Sequence, residues 1–153
     1  IGYWEKMVEV CRVLKSPICL IQLPTSFKQD EKNLENMRKF FSKIERKDIT
    51  IALELRGWIK DSFRRVCEEF DLISCVDPLK YEPLYFSRKG IGYYRLHGSY
   101  VGEKINYRYK YTIEELKNLK TKIEEYHCNI AYVMFNNIYM KENAIEFMKL
   151  LLK

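Results

Sequence analysis

The chain is poor in the residues that mark several common classes of protein. It has 153 residues but only six glycines and two histidines, and none of its five cysteines lies in a Cys-x-x-Cys pair. The sequence therefore has no contiguous zinc-binding motif. No apolar run approaches the roughly 20 residues that a membrane-spanning helix needs, and no signal-peptide pattern opens the chain. We expect no membrane partner.

The cysteines bear on the cellular compartment. Cys19 and Cys75 lie inside apolar runs, and Cys11 and Cys67 fall on the apolar faces of predicted helices. Cysteines in such positions are typical of buried thiols in a reducing environment. We therefore expect a cytoplasmic protein, with a redox-active or nucleophilic cysteine as the alternative.

The chain carries an excess of positive charge. Its 27 lysines and arginines against 21 aspartates and glutamates give a net charge of +6. Such an excess favours an anionic small molecule or nucleic acid as the partner. Lysines are spread along every predicted helix, however, and a solvated lysine-rich surface gives the same net charge.

Short apolar runs alternate with longer amphipathic stretches. Five runs are predicted to be buried strands: 18–22, 49–55, 72–76, 91–98 and 130–135. Helices are predicted between most of them, one capped by Asp30 and one by a capping box of Thr112 with Glu115. Strands that are apolar on both faces and separated by helices indicate a parallel sheet covered by helices.

Two parallel architectures fit this pattern, an open doubly wound sheet and a section of a barrel. A dinucleotide-binding sheet requires a glycine-rich turn between its first strand and the following helix. The sequence has Gly90 and Gly92, but they precede or begin a predicted strand. The glycine pattern therefore gives no support to a dinucleotide-binding fold.

Polar side chains end all five predicted strands. They are Gln22; Glu54 and Arg56, with Trp58 just beyond; Asp77; Arg95 and His97; and Asn136 and Asn137. The carboxyl edge of a parallel sheet is the usual binding face of such folds. Polar residues also mark strand ends for purely structural reasons, and an ion pair of Glu54 with Arg56 or Arg95 is one such alternative.

Residues 102–111 alternate aromatic and basic side chains, ending in Tyr107, Arg108, Tyr109, Lys110 and Tyr111. Alternation of this kind is found where tyrosines stack on nucleic-acid bases and cations hold phosphates. It is also found where tyrosines pack inward over the strand ends. The sequence leaves both alternatives open.

Five motifs resemble, in order and in approximate spacing, those of the YecE-like family, domain of unknown function family seventy-two. They are IQLPTSF, ALELRGW, YYRLHG, YRYKYTIEEL and YVMFNN, the last followed by Asn143-Ala144. The resemblance extends from about Ile18 onward. Gly57 and Trp58 depart from it, because the family often has a longer polar stretch there.

The resemblance implies a parallel (β/α) barrel of the TIM type. This chain, as a single domain over 1–153, would be the C-terminal part and supply about strands four to eight, with the N-terminal strands missing. An incomplete barrel leaves open sheet edges, so we expect the missing barrel half or a homo-oligomer to cover them. The family carries no settled activity that could be transferred.

The strand-end residues favour an enzyme. Glu54 would be a general base or metal ligand with Asp77 beside it, and His97 an acid/base or ligand. Because Glu, Asp and His on separate strands can form an oxygen/nitrogen site, a divalent metal ion is left open.

The remaining strand-end residues would bind the substrate. Arg56 and Arg95 would bind an anionic group such as a phosphate. Gln22, Asn136 and Asn137 would orient the substrate, and Trp58, Tyr109 and Tyr111 would also bind it. The sequence thus predicts hydrolysis of a phosphate-containing substrate; the alternatives are a nucleic-acid-binding protein or nuclease, and a non-catalytic binding or scaffold barrel.

Overall fold

The computed structural model describes residues 2–102 and 104–152. These residues form two compact units. Unit 1 comprises residues 2–75 and 84–88, and unit 2 comprises 76–83 with the described residues from 89 onward. The prediction of a single domain over 1–153 stays a prediction.

Unit 1 is built around a small parallel sheet. Its elements are α1 (Gly2–Val13), β1 (Ile18–Gln22), α2 (Glu31–Lys43), β2 (Thr50–Glu54), α3 (Lys60–Phe70) and β3 (Ile73–Ser74). The strand order is β1-β2-β3, and both pairings are parallel. Every residue of β2 is buried, as expected for a central strand with an apolar run.

Local sequence signals explain the helices of unit 1. The Asp30 carboxylate accepts the backbone N–H of Asn33 at 2.7 Å, which confirms the predicted cap of α2. Each helix places an apolar stripe on the core: Trp4, Val8 and Cys11 from α1; Met37 and Phe41 from α2; Phe63, Val66 and Cys67 from α3. Most of the stabilisation of such short helices comes from this packing.

Unit 2 contains one parallel strand pair and one hairpin. Its elements are β4 (Ile91–Leu96), β5 (Ser99–Val101), β6 (Lys104–Asn106), α4 (Ile113–Glu125), β7 (Ile130–Phe135) and α5 (Met140–Leu151). β4 and β7 are parallel, whereas β5 and β6 are antiparallel. The capping box of Thr112 with Glu115 is present at the start of α4, as predicted.

Apolar residues from β4, β7 and both helices form the core of unit 2. The buried members are Leu96, Tyr111, Leu116, Leu119, Phe135 and Phe147. Because side chains alternate along a strand, Leu96 and Phe135 turn one face of the β4–β7 pair toward the helices. Tyr93 and Arg95 alternate with the buried residues of β4 and therefore lie on the other face of the pair. The candidate site lies at the end of that face.

The prediction of a TIM-type barrel portion with strands four to eight is wrong. The described strands form three separate sheets of two or three strands, and they close no barrel. The strand predicted at 72–76 contains only Ile73–Ser74, and only two residue pairs join it to β2. The structure is mixed α/β, with parallel pairing in the β1-β2-β3 sheet and in the β4–β7 pair, but a barrel also requires continuous pairing around a closed sheet. The partner predicted to cover open sheet edges stays a prediction.

None of the helices in the described part of the chain is both long enough and apolar enough to cross a membrane.

Candidate functional site

The carboxyl ends of β4 and β7 bring His97 and Asn136 together. The paired register ends with Leu96 beside Phe135, so the next residue of each strand lies at the same edge. The Asn136 N–H donates to the Leu96 carbonyl oxygen at 2.7 Å, and its side-chain Nδ2 lies 3.0 Å from His97 Nδ1. His97 is only 4% exposed. The sequence predicted that the carboxyl ends of the strands lie at one edge, and in the structure two of the side chains at that edge are in direct contact.

This contact determines which nitrogen of a neutral His97 carries the proton. An amide nitrogen can only donate, so Nδ1 of His97 accepts from Asn136 and must be unprotonated. The proton of the neutral ring then lies on Nε2. His97 is thereby oriented as an Nε2–H donor, which suits it to donate a hydrogen bond to a substrate oxygen.

Asp77 lies beside His97 in unit 2. An isolated parallel bridge joins Val76 to Tyr94, and the Arg95 N–H donates to the Val76 carbonyl oxygen at 3.0 Å. The buried Asp77 carboxylate accepts the N–H of Leu79 at 3.0 Å and the backbone N–H of His97. The structure thus brings together Asp77 and His97, both predicted as catalytic.

Burial raises the pKa of Asp77 above its ordinary range. The two backbone hydrogen bonds and the nearby His97 and Lys80 oppose this rise by favouring the ionised carboxylate. A carboxyl group with a raised pKa exchanges protons closer to neutral pH than an exposed one. This property is useful in a general acid or base.

Cationic side chains lie near this strand end. Arg95 is two residues before His97 and therefore on the same face of β4, half-buried and paired in register with Met134. Lys80 belongs to the turn that begins at Asp77, and its Nζ lies 3.6 Å from the centre of the Tyr100 ring. Positive charge near a buried acid/base pair favours an anionic ligand.

The segment from Tyr107 to Tyr111 turns most of its tyrosines inward. Tyr111 is buried, and its hydroxyl bonds to both backbone polar groups of Gly98. The Tyr109 hydroxyl donates to the Glu115 carboxylate at 2.8 Å. Tyr107 is partly exposed and presents an edge-to-face contact to the His97 ring at 6.1 Å between centroids. This geometry favours packing over base stacking for Tyr109 and Tyr111.

Asn137 is buried and makes hydrogen bonds separate from those of Asn136. Its Nδ2 donates to the carbonyl oxygen of Tyr109 at 2.7 Å and to Oδ1 of Asn143 at 2.9 Å. Asn143, on α5, has no exposed surface. Asn136 thus contacts His97, whereas Asn137 binds the Tyr109 backbone and α5.

The remaining predicted residues lie in unit 1. Gln22 and Glu54 are opposite each other in the β1–β2 register, so their Cα atoms are separated by about the 4.8 Å spacing of adjacent strands. Glu54 is buried, and its Oε1 accepts from Arg56 Nε at 3.1 Å and from Arg56 Nη2 at 3.0 Å. This is the ion pair that the sequence left open as a structural alternative.

Trp58 is likewise engaged within unit 1. Its indole N–H donates to the Phe27 carbonyl oxygen at 2.8 Å, and the two rings stack with centroids 5.9 Å apart. The indole therefore connects the segments that follow β1 and β2. These contacts are with protein, and the predicted substrate-binding role of Trp58 stays a prediction.

Within residues 2–102 and 104–152, no group of three or more His, Cys, Asp or Glu side chains lies close enough together to hold a metal ion.

Comparison with known proteins defines the family. A family model described as "Protein of unknown function DUF72" matches residues 4–153. The chain belongs to the DUF72 family. This confirms the resemblance inferred from the five motifs, and it assigns no reaction, because the family is one of unknown function.

A solved structure supports the relationship at the level of fold. The crystal structure of a DUF72 family protein from Enterococcus faecalis V583 is similar, with a TM-score of 0.71 and 20% sequence identity over 97% of this chain. This DUF72 chain spans 66% of the length of that protein's chain. No curated protein matches the sequence.

Two residues near the candidate site were missed in the sequence. Lys80 was missed because the turn at Asp77 could not be located within an irregular segment. Asn143 had a usable signal: it lies four residues before Phe147, so an amide falls on the buried stripe of α5. A polar side chain on such a stripe indicates a buried hydrogen-bond network.

Proposed function

We propose that unit 2 carries an acid/base site at the carboxyl ends of β4 and β7, and that this site hydrolyses an anionic, phosphate-containing substrate. The observation that carries the proposal is the buried contact of His97 with Asn136 next to the Asp77 carboxyl. A histidine of defined tautomer beside a carboxyl of raised pKa is a typical acid/base arrangement.

The two groups have complementary roles. The Asp77 carboxylate accepts a proton from the attacking water as the new oxygen–phosphorus bond forms, and the leaving oxygen takes a proton from solvent as the old oxygen–phosphorus bond breaks. The Nε2–H of neutral His97 donates a hydrogen bond to the leaving oxygen and stabilises the negative charge that develops there. Asp77 thus acts as the base and His97 as a fixed hydrogen-bond donor.

Arg95 and Lys80 support the choice of an anionic substrate. Arg95 shares the face of β4 that ends in His97, and Lys80 is close enough to Asp77 to favour its ionised form. A guanidinium offers paired donors to phosphate oxygens, and an ammonium supplies a point charge. In this proposal Glu54 remains the ion-pair partner of Arg56 in unit 1 and takes no catalytic role.

We also assign the protein to the cytoplasm. All five cysteines are free thiols, and Cys11, Cys19, Cys67 and Cys75 are buried. Burial raises the pKa of the Cys19 thiol to about 11, which keeps it protonated and unreactive at neutral pH. Free, buried thiols are the usual form of cysteine in a reducing compartment.

A thermal-shift experiment tests the binding part of the proposal. The full chain and its His97→Asn and His127→Asn variants are melted with inorganic phosphate, sugar phosphates, nucleotides and short oligonucleotides. His127 is the matched control: it is exposed, and its positive φ of 51° suits asparagine. A ligand at 100 times its Kd stabilises the native state by about 2.7 kcal/mol.

We expect a phosphate-containing small molecule to raise the Tm of the wild type and of His127→Asn but not of His97→Asn. A rise that persists in His97→Asn would place the ligand elsewhere and contradict the proposal. Stabilisation by oligonucleotides alone would favour the nucleic-acid alternative. No stabilisation by any phosphate compound would favour the non-catalytic alternative.

A further inference from the structure

Asn143 binds one backbone residue by both of its polar groups. Its Oδ1 accepts the Tyr111 N–H at 3.2 Å, and its Nδ2 donates to the Tyr111 carbonyl oxygen at 3.1 Å. Rotating the amide by half a turn would place donor against donor and acceptor against acceptor. The orientation of the Asn143 side chain is therefore determined by the backbone of Tyr111.

The same amide determines the orientation of Asn137. Asn137 Nδ2 donates to Asn143 Oδ1 and to the Tyr109 carbonyl oxygen, and both of these atoms are acceptors. The amide nitrogen of Asn137 must face them, which turns its Oδ1 the other way. That Oδ1 is buried and has no hydrogen-bond partner among the described residues. A buried acceptor without a hydrogen bond destabilises the folded state. The contacts with Asn143 and Tyr109 therefore orient Asn137 although they leave its Oδ1 without a hydrogen bond from the described residues.

These contacts reach both members of the His97–Asn136 pair. The Tyr111 hydroxyl accepts the N–H of Gly98 and donates to its carbonyl oxygen, and Gly98 directly follows His97. Asn137 directly follows Asn136. The residue after each member of the pair is therefore held by Asn143, in one case through Tyr111 and in the other directly.

We propose that Asn143 is a positioning residue for this site. From α5 it holds the ends of β4 and β7 so that Asn136 Nδ2 meets His97 Nδ1 and keeps the proton of the neutral ring on Nε2. Its importance for turnover rests on the proposed function. Its effect on the geometry of the pair can be measured whether or not the protein is a hydrolase.

The test is nitrogen-15 NMR of the imidazole rings in the full-length, isotope-labelled chain. Because the chain has only two histidines, the His127→Asn variant assigns the His97 signals. We expect a single His97 tautomer, protonated on Nε2, in the wild type. Asn143→Ala should introduce the second tautomer.

Leu119→Ala is the matched control for loss of stability. Leu119 is fully buried in the same core, and its truncation leaves a cavity without removing a hydrogen bond. It should lower the Tm and leave one His97 tautomer. A second tautomer in Leu119→Ala, or one unchanged tautomer in folded Asn143→Ala, would overturn the proposal.

Tyr111→Phe keeps the proposal testable if Asn143→Ala does not fold. It removes the hydroxyl that holds Gly98 and keeps the ring in the core. We expect faster hydrogen exchange of the Gly98 N–H together with mixed His97 tautomers. Faster exchange with a single tautomer would overturn the positioning role. If the tautomers mix as expected while no phosphate compound binds, the positioning role stands and the proposed hydrolase function fails.

Discussion

The Tyr111 hydroxyl accepts the Gly98 N–H at 2.7 Å and donates to the Gly98 carbonyl oxygen at 3.0 Å. One phenol thereby satisfies both backbone polar groups of a buried residue that directly follows His97. Burial raises the pKa of Tyr111, so the hydroxyl keeps its proton and can act as donor and acceptor at once.

Removing this hydroxyl should destabilise the protein. Tyr111→Phe leaves the N–H and carbonyl of Gly98 buried without this partner, which should cost about 1–3 kcal/mol in the free energy of unfolding. Urea denaturation measures the change. Tyr3→Phe is the control, because Tyr3 is 90% exposed and should change stability by less than about 0.5 kcal/mol. Equal effects at the two positions would contradict this explanation.

Gly98 should not tolerate a side chain. Its φ is +107°, and an added Cβ would lie 2.3 Å from the Asn106 carbonyl oxygen. Gly57 also has a positive φ, +77°, but apart from its chain neighbours no heavy atom of the described residues lies within 4 Å of its Cβ position. Gly57→Ala should therefore cost only the left-handed backbone strain, about 1–2 kcal/mol, and Gly98→Ala clearly more. Similar losses of Tm in the two variants would show that the contact with Asn106 is unimportant.

The Glu54–Arg56 pair should contribute more than an exposed pair. The side chains of Glu54 and Arg56 are 8% and 30% exposed, against 40% and 52% for Glu69 and Arg38. Arg56→Met removes the guanidinium from a buried carboxylate and should cost about 1–3 kcal/mol, reduced from the fully buried case by partial exposure. Arg38→Met should cost less than about 1 kcal/mol.

The dependence on salt concentration distinguishes the cost of Arg56→Met from that of Arg38→Met. Screening weakens exposed pairs more than buried ones, so the cost of Arg56→Met should persist in 0.5 M NaCl, a concentration at which the Debye length is only about 4 Å. A cost for Arg56→Met that disappears with salt would mean that the pair is effectively exposed.

Asp77 should make stability depend on pH. Burial raises its folded pKa above the ordinary value of 3.8, so the native state binds the proton more tightly than the unfolded state. The wild type should lose this contribution as pH rises from about 3.8 through the folded pKa. Asp77→Asn cannot ionise, so its stability relative to the wild type should increase over that interval. A relative stability that is constant or falls with pH would contradict the raised pKa.

The sequence correctly predicted those strands and helix caps whose signals come from residues next to one another in the chain. The runs 18–22 and 130–135 coincide with β1 and β7, because each is a short apolar run in a well-defined position. Asp30 and Thr112 cap helices as predicted, since a cap needs only neighbouring residues. The hairpin of β5 and β6 was missed because its short strands are mostly half-buried or exposed and lack a strong apolar pattern.

The sequence did not predict how strands that lie far apart along the chain pair with one another. Alternating apolar strands and helices indicate parallel pairing, and the structure has it, but they do not specify whether the sheet closes. The residues of the candidate site likewise divide into those predicted from the sequence and those whose role only the fold reveals. Asp77, His97 and Asn136 were predicted as strand-end residues. The buried role of Asn143 depends on its contacts with Tyr111 and Asn137, which follow only from the fold.

The most direct test of the account is hydrolysis of a chromogenic phosphomonoester and phosphodiester by the full chain, His97→Asn and His127→Asn. Loss of one preorganised hydrogen-bond donor to developing charge costs roughly 10²–10³-fold in kcat, so loss of the His97 Nε2–H should lower turnover by that order. We predict such a loss in His97→Asn and none in His127→Asn. Equal rates in all three proteins, or no turnover of either ester by the wild type, would contradict an acid/base hydrolase site at His97.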